Sequence, residues 1–254
     1  MHRTVTALAA TLCLGPLPAF AQDADDWEFA EDAGRKLSVA AARYEGGQAV
    51  LVQCRDGELS AMIVGLPATD YPLRRVEAVR ADGRRDQQSW FPEAAAPGSP
   101  AVFRTLTPGR DVRFFKGGGL MTMRSTDGDP ATMEATFDLP VQSANLDRVL
   151  TACGRPLEDE RDQLTRKPVT IQWEPVVSGR RDSGRGRTTG AADISCVIRN
   201  QRYTDCRVEY ARPARDGARL AREMEGDRLR DPDPAAEGTV TYVGVVTSEE
   251  VIPF

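Results

Sequence analysis

Sulfur is the chemistry to ask about first. The chain of 254 residues carries five cysteines, at positions 13, 54, 153, 196 and 206. Cys196 and Cys206 lie in the stretch ADISCVIRNQRYTDCRVEY (192–210), in two runs of alternating polar and apolar residues joined by a short polar segment. A metal site, a redox pair and a clamp across a hairpin would each use two such sulfurs. Zinc would need two further ligands, and the sequence offers no paired C-x-x-C and no suitable histidine. A redox pair is normally closer, as C-x-x-C. Read as strands, the two runs put Ile194, Cys196 and Ile198 on one face and Cys206, Val208 and Tyr210 on the facing one, with RNQRY (199–203) as the turn. A turn centred on Gln201 sets the two cysteines opposite one another, so the clamp is the expected use.

The rest of the reactive inventory is thin. The only histidine, His2, stands in a leading segment that reads as a secretory signal: a positive start at Arg3, an apolar run broken by Pro16 and Pro18, and Ala19-Phe20-Ala21 before Gln22. Cleavage there would remove His2 and Cys13. Four cysteines would remain in an oxidising compartment, without imidazole for Ser-His or Cys-His catalysis or for metal ligation. An uncleaved segment would instead anchor the chain in the membrane. No serine stands three residues before Lys36, Lys116 or Lys167, so S-x-x-K is absent. FFKGGG (114–119) lacks the ending of a phosphate loop and reads as a strand-to-turn junction. Asp127 and Asp129 read as a polar turn rather than a calcium loop. Glu158, Asp159, Glu160 and Asp162 read as a solvated charged run. No catalytic residue, metal or cofactor is expected. An envelope hydrolase working through carboxylates is the enzymatic alternative. The formal charge of −5 becomes −6 without Arg3, which gives no nucleic-acid footprint.

The elements that position these residues read as mainly β with α+β character, in two domains. Residues 22–160 contain KLSVAAARY, QAVLVQC, ELSAMIVGL, RRVEAVRA, AVFRTL, RDVRFF, GLMTMRS and ATMEATFDL, short apolar or alternating runs separated by glycine-bearing turns. They predict an antiparallel sandwich or barrel, with one helix from Ser143 to Cys153-Gly154. A linker is expected over 161–168. A small antiparallel sheet with one helix capped by Asp216 is expected over 169–254. Within it, 178–190 has no apolar residue and reads as a flexible loop, whose Arg180, Arg181, Arg185 and Arg187 would give at most weak contact with an anionic surface. The tryptophans at 27, 90 and 173 read as core anchors.

Two resemblances follow from these segments. LVQCRDGELSAMIVG, with the later ATFDL and LDRVLTACG, resembles the β-sandwich of type VI secretion-associated envelope proteins of the TagO kind. That resemblance implies a Cys54–Cys153 disulfide tying helix to sheet; the tryptophan usual after the final Cys-Gly is Arg155 here. Strand, hairpin, helix and terminal strand over 169–254, with DISCVI, TDCRV and VIPF, resemble the TonB C-terminal domain in its cysteine-bearing form. A proline-rich spacer is missing and Tyr71-Pro72 lies in the first domain, so energy transduction is expected only if the N-terminus stays in the membrane. The expected function is therefore a periplasmic, non-catalytic binding or adaptor protein. It would capture an envelope protein or peptide by strand addition at a terminal edge made of Glu249, Glu250, Val251, Ile252, Pro253 and Phe254.

Overall fold

A computed structural model describes residues 25–69, 73–93, 98–126, 133–167, 170–176, 187–212 and 214–249. Residues 1–24, where a secretory signal was expected, Tyr71-Pro72, Asp127, Asp129, Arg180, Arg181, Arg185 and Glu250 to Phe254 lie outside the described residues. The chain folds as two β-rich units, as its alternating runs predict.

The N-terminal unit is a nine-stranded sheet: β1 (Glu28–Asp32), β2 (Leu37–Arg43), β3 (Ala49–Arg55), β4 (Glu58–Val64), β5 (Arg74–Arg80), β6 (Arg85–Glu93), β7 (Val102–Thr105), β8 (Gly119–Ser125) and β9 (Glu134–Leu139). Their order is β1-β2-β3-β4-β7-β6-β5-β8-β9, antiparallel throughout. The sheet curls so that its ends share one core. The Tyr44 ring after β2 lies 5.3 Å from Phe137 on β9, and Trp27 lies 6.4 Å from Phe115. Trp27 and Trp90 are core residues.

Two helices close this unit, where one was expected. The run RDVRFF is not a strand: it belongs to α1 (Pro108–Phe115), which starts at Thr107-Pro108, with proline where a missing N–H costs nothing. Val112 and Phe115, three apart, are both fully buried, so helical rather than alternating spacing meets the core. α2 (Ala144–Ala152) follows Ser143 and ends at Cys153, with Gly154 left-handed (φ 62°). Cys153 is bonded to Cys54 on β3, the two Cα atoms 5.5 Å apart.

The C-terminal unit contains β10 (Thr170–Val176), β11 (Arg187–Arg199), β12 (Arg202–Arg212), α3 (Ala214–Met224) and β13 (Val240–Glu249). Ala192, Ile194, Cys196 and Val243 pack with Leu220 and Ala221 of α3. α3 begins before Asp216, which therefore lies inside the helix and not at its cap. β11 begins at Arg187, so the last four residues of the expected loop over 178–190 are strand. The sheet order is β10-β13-β11-β12, and β10 runs parallel to β13, which makes the sheet mixed rather than purely antiparallel. The cause is the segment before it. Arg166 forms a parallel bridge with Val240, Lys167 N–H donates to Val240 O and Val240 N–H to Thr165 O, so the chain enters β10 already heading along β13.

Candidate functional site

The hairpin of β11 and β12 brings its sulfurs together by a route more detailed than a turn centred on Gln201. Asn200 and Gln201 are both left-handed (φ 52° and 58°), the geometry of a tight two-residue turn, and Arg199 faces Arg202. That register alone would set Cys196 against Asp205. Asp205 (φ 48°) is instead the extra residue of a bulge, so that Ser195 faces Arg207 and Cys196 reaches Cys206. The two are bonded, with Cα atoms 4.1 Å apart, and their sulfurs serve as a clamp. Among the described residues no group of three or more histidines, cysteines or acids is placed to hold a metal ion.

The edges of this small sheet are unequal. Of the expected edge only Glu249 lies among the described residues, and it is paired with Val176 on one side and Arg187 on the other. β13 is an interior strand because β10 docks beside it. The edge strand β12 is closed by other groups. Tyr203 N–H donates to Asp227 O (2.9 Å) and its carbonyl accepts from Gly226 N–H (2.8 Å). The Asp205 and Cys206 amides donate to the Glu225 carboxylate at 3.1 and 2.8 Å. The Arg155 guanidinium donates to the carbonyls of Val208 and Glu209. Such coverage removes the row of free backbone groups that invites another strand. β10 pairs only with β13 among the described strands, and its Pro175 suits an edge position.

The opposite face of the sheet meets the N-terminal unit across a seam of charge. Arg166 (4% exposed) donates to Asp86 of β6 at 2.7 Å, to Asp111 of α1 at 2.6 Å and to the Thr107 hydroxyl at 2.8 Å, and its guanidinium lies 5.2 Å from the Tyr242 ring. Asp111 also accepts from the Thr105 and Thr107 hydroxyls. Arg110 spans Asp86 and the carbonyls of Arg161 and Leu164, while Arg113 holds Asp162. Arg161 donates to Ser195 (2.8 Å) and to Glu209 (3.3 Å), and Ser195 donates to Glu209 at 2.6 Å. Glu209 reaches this position because a second bulge leaves it unopposed between Val208 and Tyr210. Leu106, Val240 and Tyr242 form the apolar part, with Leu73, Phe91 and Leu164 beside them.

The seam's titrations follow from its enclosure. Burial holds Asp86 above the usual carboxylate range despite Arg166 and Arg110. Burial pulls Arg166 down, but Asp111 and Asp86 outweigh it and hold the cation above its ordinary value. Asp159 is held low: burial is overcome by hydrogen bonds and charge from Arg161. Asp193 is pushed up to about 7, by burial first, with Arg104 opposing and Glu209 adding to the rise.

The spacing of the hairpin predicted the Cys196–Cys206 pair and the resemblance implied Cys54–Cys153, but sequence reasoning missed the seam. The acids of 158–162 divide: Asp159 and Asp162 join it, while Glu158 and Glu160 face solvent. The segment 161–167 is likewise no loose tether, since Arg161 and Arg166 are among the most enclosed charges of the chain. Comparison with protein-family models, curated proteins and solved structures found no match. The two disulfides are those of a chain that folds in an oxidising, extracytoplasmic compartment. No helix among the described residues is long and apolar enough to cross a membrane.

Proposed function

We propose that the protein is a periplasmic, non-catalytic binding protein whose C-terminal sheet captures an extended segment of an envelope partner along the outer side of β10. One observation carries this reading: of the two edges of the small sheet, β12 is stapled by Glu225, Arg155 and residues 226–229, whereas β10 has β13 as its one neighbour among the described strands. Strand addition draws its affinity from main-chain hydrogen bonds, so it needs such an edge and little side-chain chemistry. The order β10, hairpin, α3, β13 is the order of elements expected over 169–254 and supports the same mode. The seam supports an adaptor role, because it ties the capturing sheet to a second unit.

The test begins with a peptide selected for binding to the whole secreted chain. Alternate amides of Thr170–Val176 should gain protection from hydrogen exchange when it binds. Ile171→Pro and Gln172→Pro then separate the two sides of β10, since adjacent residues direct their amides oppositely. The outward substitution should abolish capture and leave the melting temperature in place; the inward one should lower the melting temperature. Protection confined to another strand, or full capture by both variants, overturns the reading.

A further inference from the structure

The strap from Leu157 to Arg166 leaves a groove between itself, the turn joining β5 to β6, and the end of α1. A cavity of about 620 Å³ adjoins one of about 300 Å³, and the two share Arg85, Asp86, Arg110, Asp162 and Gln163, so the groove is continuous along the strap. Its volume falls in the range of roughly 300–1,000 Å³ typical of small-ligand sites. The Arg113–Asp162 and Arg110–Asp86 pairs make its floor, which disfavours an apolar occupant.

Above the floor the walls have opposite sign. Arg84 and Arg85 line one wall with Lys116, and Glu158 and Glu160 line the other. The arginines pair within their own wall, Arg84 with Asp82 and Arg85 with Glu77, and remain exposed, while Lys116 is held by Asp147. Glu158 and Glu160 are exposed and make no salt bridge among the described residues. The ion pairs of the floor, with the hydrogen bond from Lys116 to the Leu157 carbonyl, fix the strap where it is and leave the groove between Arg84–Arg85 and Glu158–Glu160. A field directed from one wall to the other favours a ligand with separated charges over a simple anion or cation.

We infer that this groove binds a short zwitterionic peptide, its carboxylate toward Arg84 and Arg85 and its ammonium toward Glu158 and Glu160. The site is independent of strand capture by β10, and neither reading falls with the other. The test titrates the whole secreted chain with trialanine, N-acetyl-trialanine and trialanine amide, followed by isotope-edited NMR. Trialanine should shift the amides of residues 84–86 and 157–163. Either blocked form should bind about tenfold more weakly, a loss of one charge contact. Arg85→Glu should weaken trialanine to the level of its amide, and Glu158→Lys with Glu160→Lys to the level of its N-acetyl form. These side chains are exposed, so unchanged melting is expected and checks the fold. Equal affinity for the three peptides, shifts confined to other residues, or no shift at all overturns the inference and leaves the groove as solvated surface.

Discussion

Asp193 sits on the face of β11 that meets the N-terminal unit, opposite Gly244 of β13, with Arg104 of β7 and Glu209 of β12 as the charges that act on it. Its carboxyl titrates near 7 in the folded chain and near 3.8 when unfolded. Below 3.8 both states are protonated and the group is neutral to stability. As pH rises toward 7 the unfolded chain releases the proton while the folded chain keeps it, so stability falls, and above 7 the penalty is constant. A shift of this size corresponds to about 4 kcal/mol at the plateau, of which about 2–3 kcal/mol develops between pH 5 and pH 8. Asp193→Asn removes the titration and keeps the side-chain shape. Thermal melts of both proteins at pH 5 and pH 8 isolate the group, because every other titration is common to the pair. The variant should gain on the wild type by about 5–10 °C between pH 5 and pH 8, at the few degrees per kcal/mol expected for this chain length. An identical pH response in the two proteins would refute the assignment of a protonated Asp193 to the seam.

The two disulfides should differ in what they contribute. Cys54–Cys153 closes a sequence separation of 99 and Cys196–Cys206 one of 10, so chain entropy predicts losses of about 4–5 and about 3 kcal/mol for the paired alanine variants. Urea unfolding of the two variants would read that order, and the reverse order would show that strain or residual structure governs them. Gly217→Ala places a methyl 2.4 Å from Ala211 Cβ and 2.8 Å from a Val208 methyl, where α3 lies closest to β12. It should cost about 1–3 kcal/mol by overpacking, seen as a lowered urea midpoint, in contrast to the gain expected for glycine-to-alanine in an open helix.

The strands that follow a clean alternation were legible, and so were α2 and the Cys196–Cys206 clamp, because their signals are local: apolar spacing, turn residues, a glycine after the helix; Cys54–Cys153, 99 residues apart, came only from a resemblance. β6 was missed because its inward positions are Asp86, Gln88 and Trp90, two of them polar. Asp86 serves Arg110 and Arg166, 24 and 80 residues away in sequence, and Gln88 accepts from the Trp90 indole two residues on. A polar inward face looks like a loop until those partners are known. RDVRFF fits both periods over so short a run, and its proline start decides for the helix. Of the expected edge, Glu249 to Phe254, only Glu249 lies among the described residues, and at that residue edge status depends on which strand docks beside it. That choice rests with Arg166 and its distant acids. The four arginines of the seam and strap are unremarkable in sequence, since almost all the chain's basic residues are arginine.

The use of charge where an apolar seam would have been simpler bears on how the two units act together. Apolar surfaces of similar shape would stabilise the contact at least as well, since taking ions from water costs several kcal/mol each and attraction only offsets it with good geometry. Fixed partners give something else: the two terminal nitrogens of Arg166 find their acceptors only when Asp86, Asp111 and the Thr107 hydroxyl are all in place, and Glu209 finds its donors only with Ser195 and Arg161. A sliding contact would strand these groups unpaired, which is far costlier than a shifted apolar contact. The seam therefore selects one relative position of the two sheets. That same position sets Val240 beside the strap, starts β10 parallel to β13, and holds the strap clear of the β5–β6 turn. The edge position of β10 among the described strands and the groove along the strap are thus two consequences of a single charge arrangement.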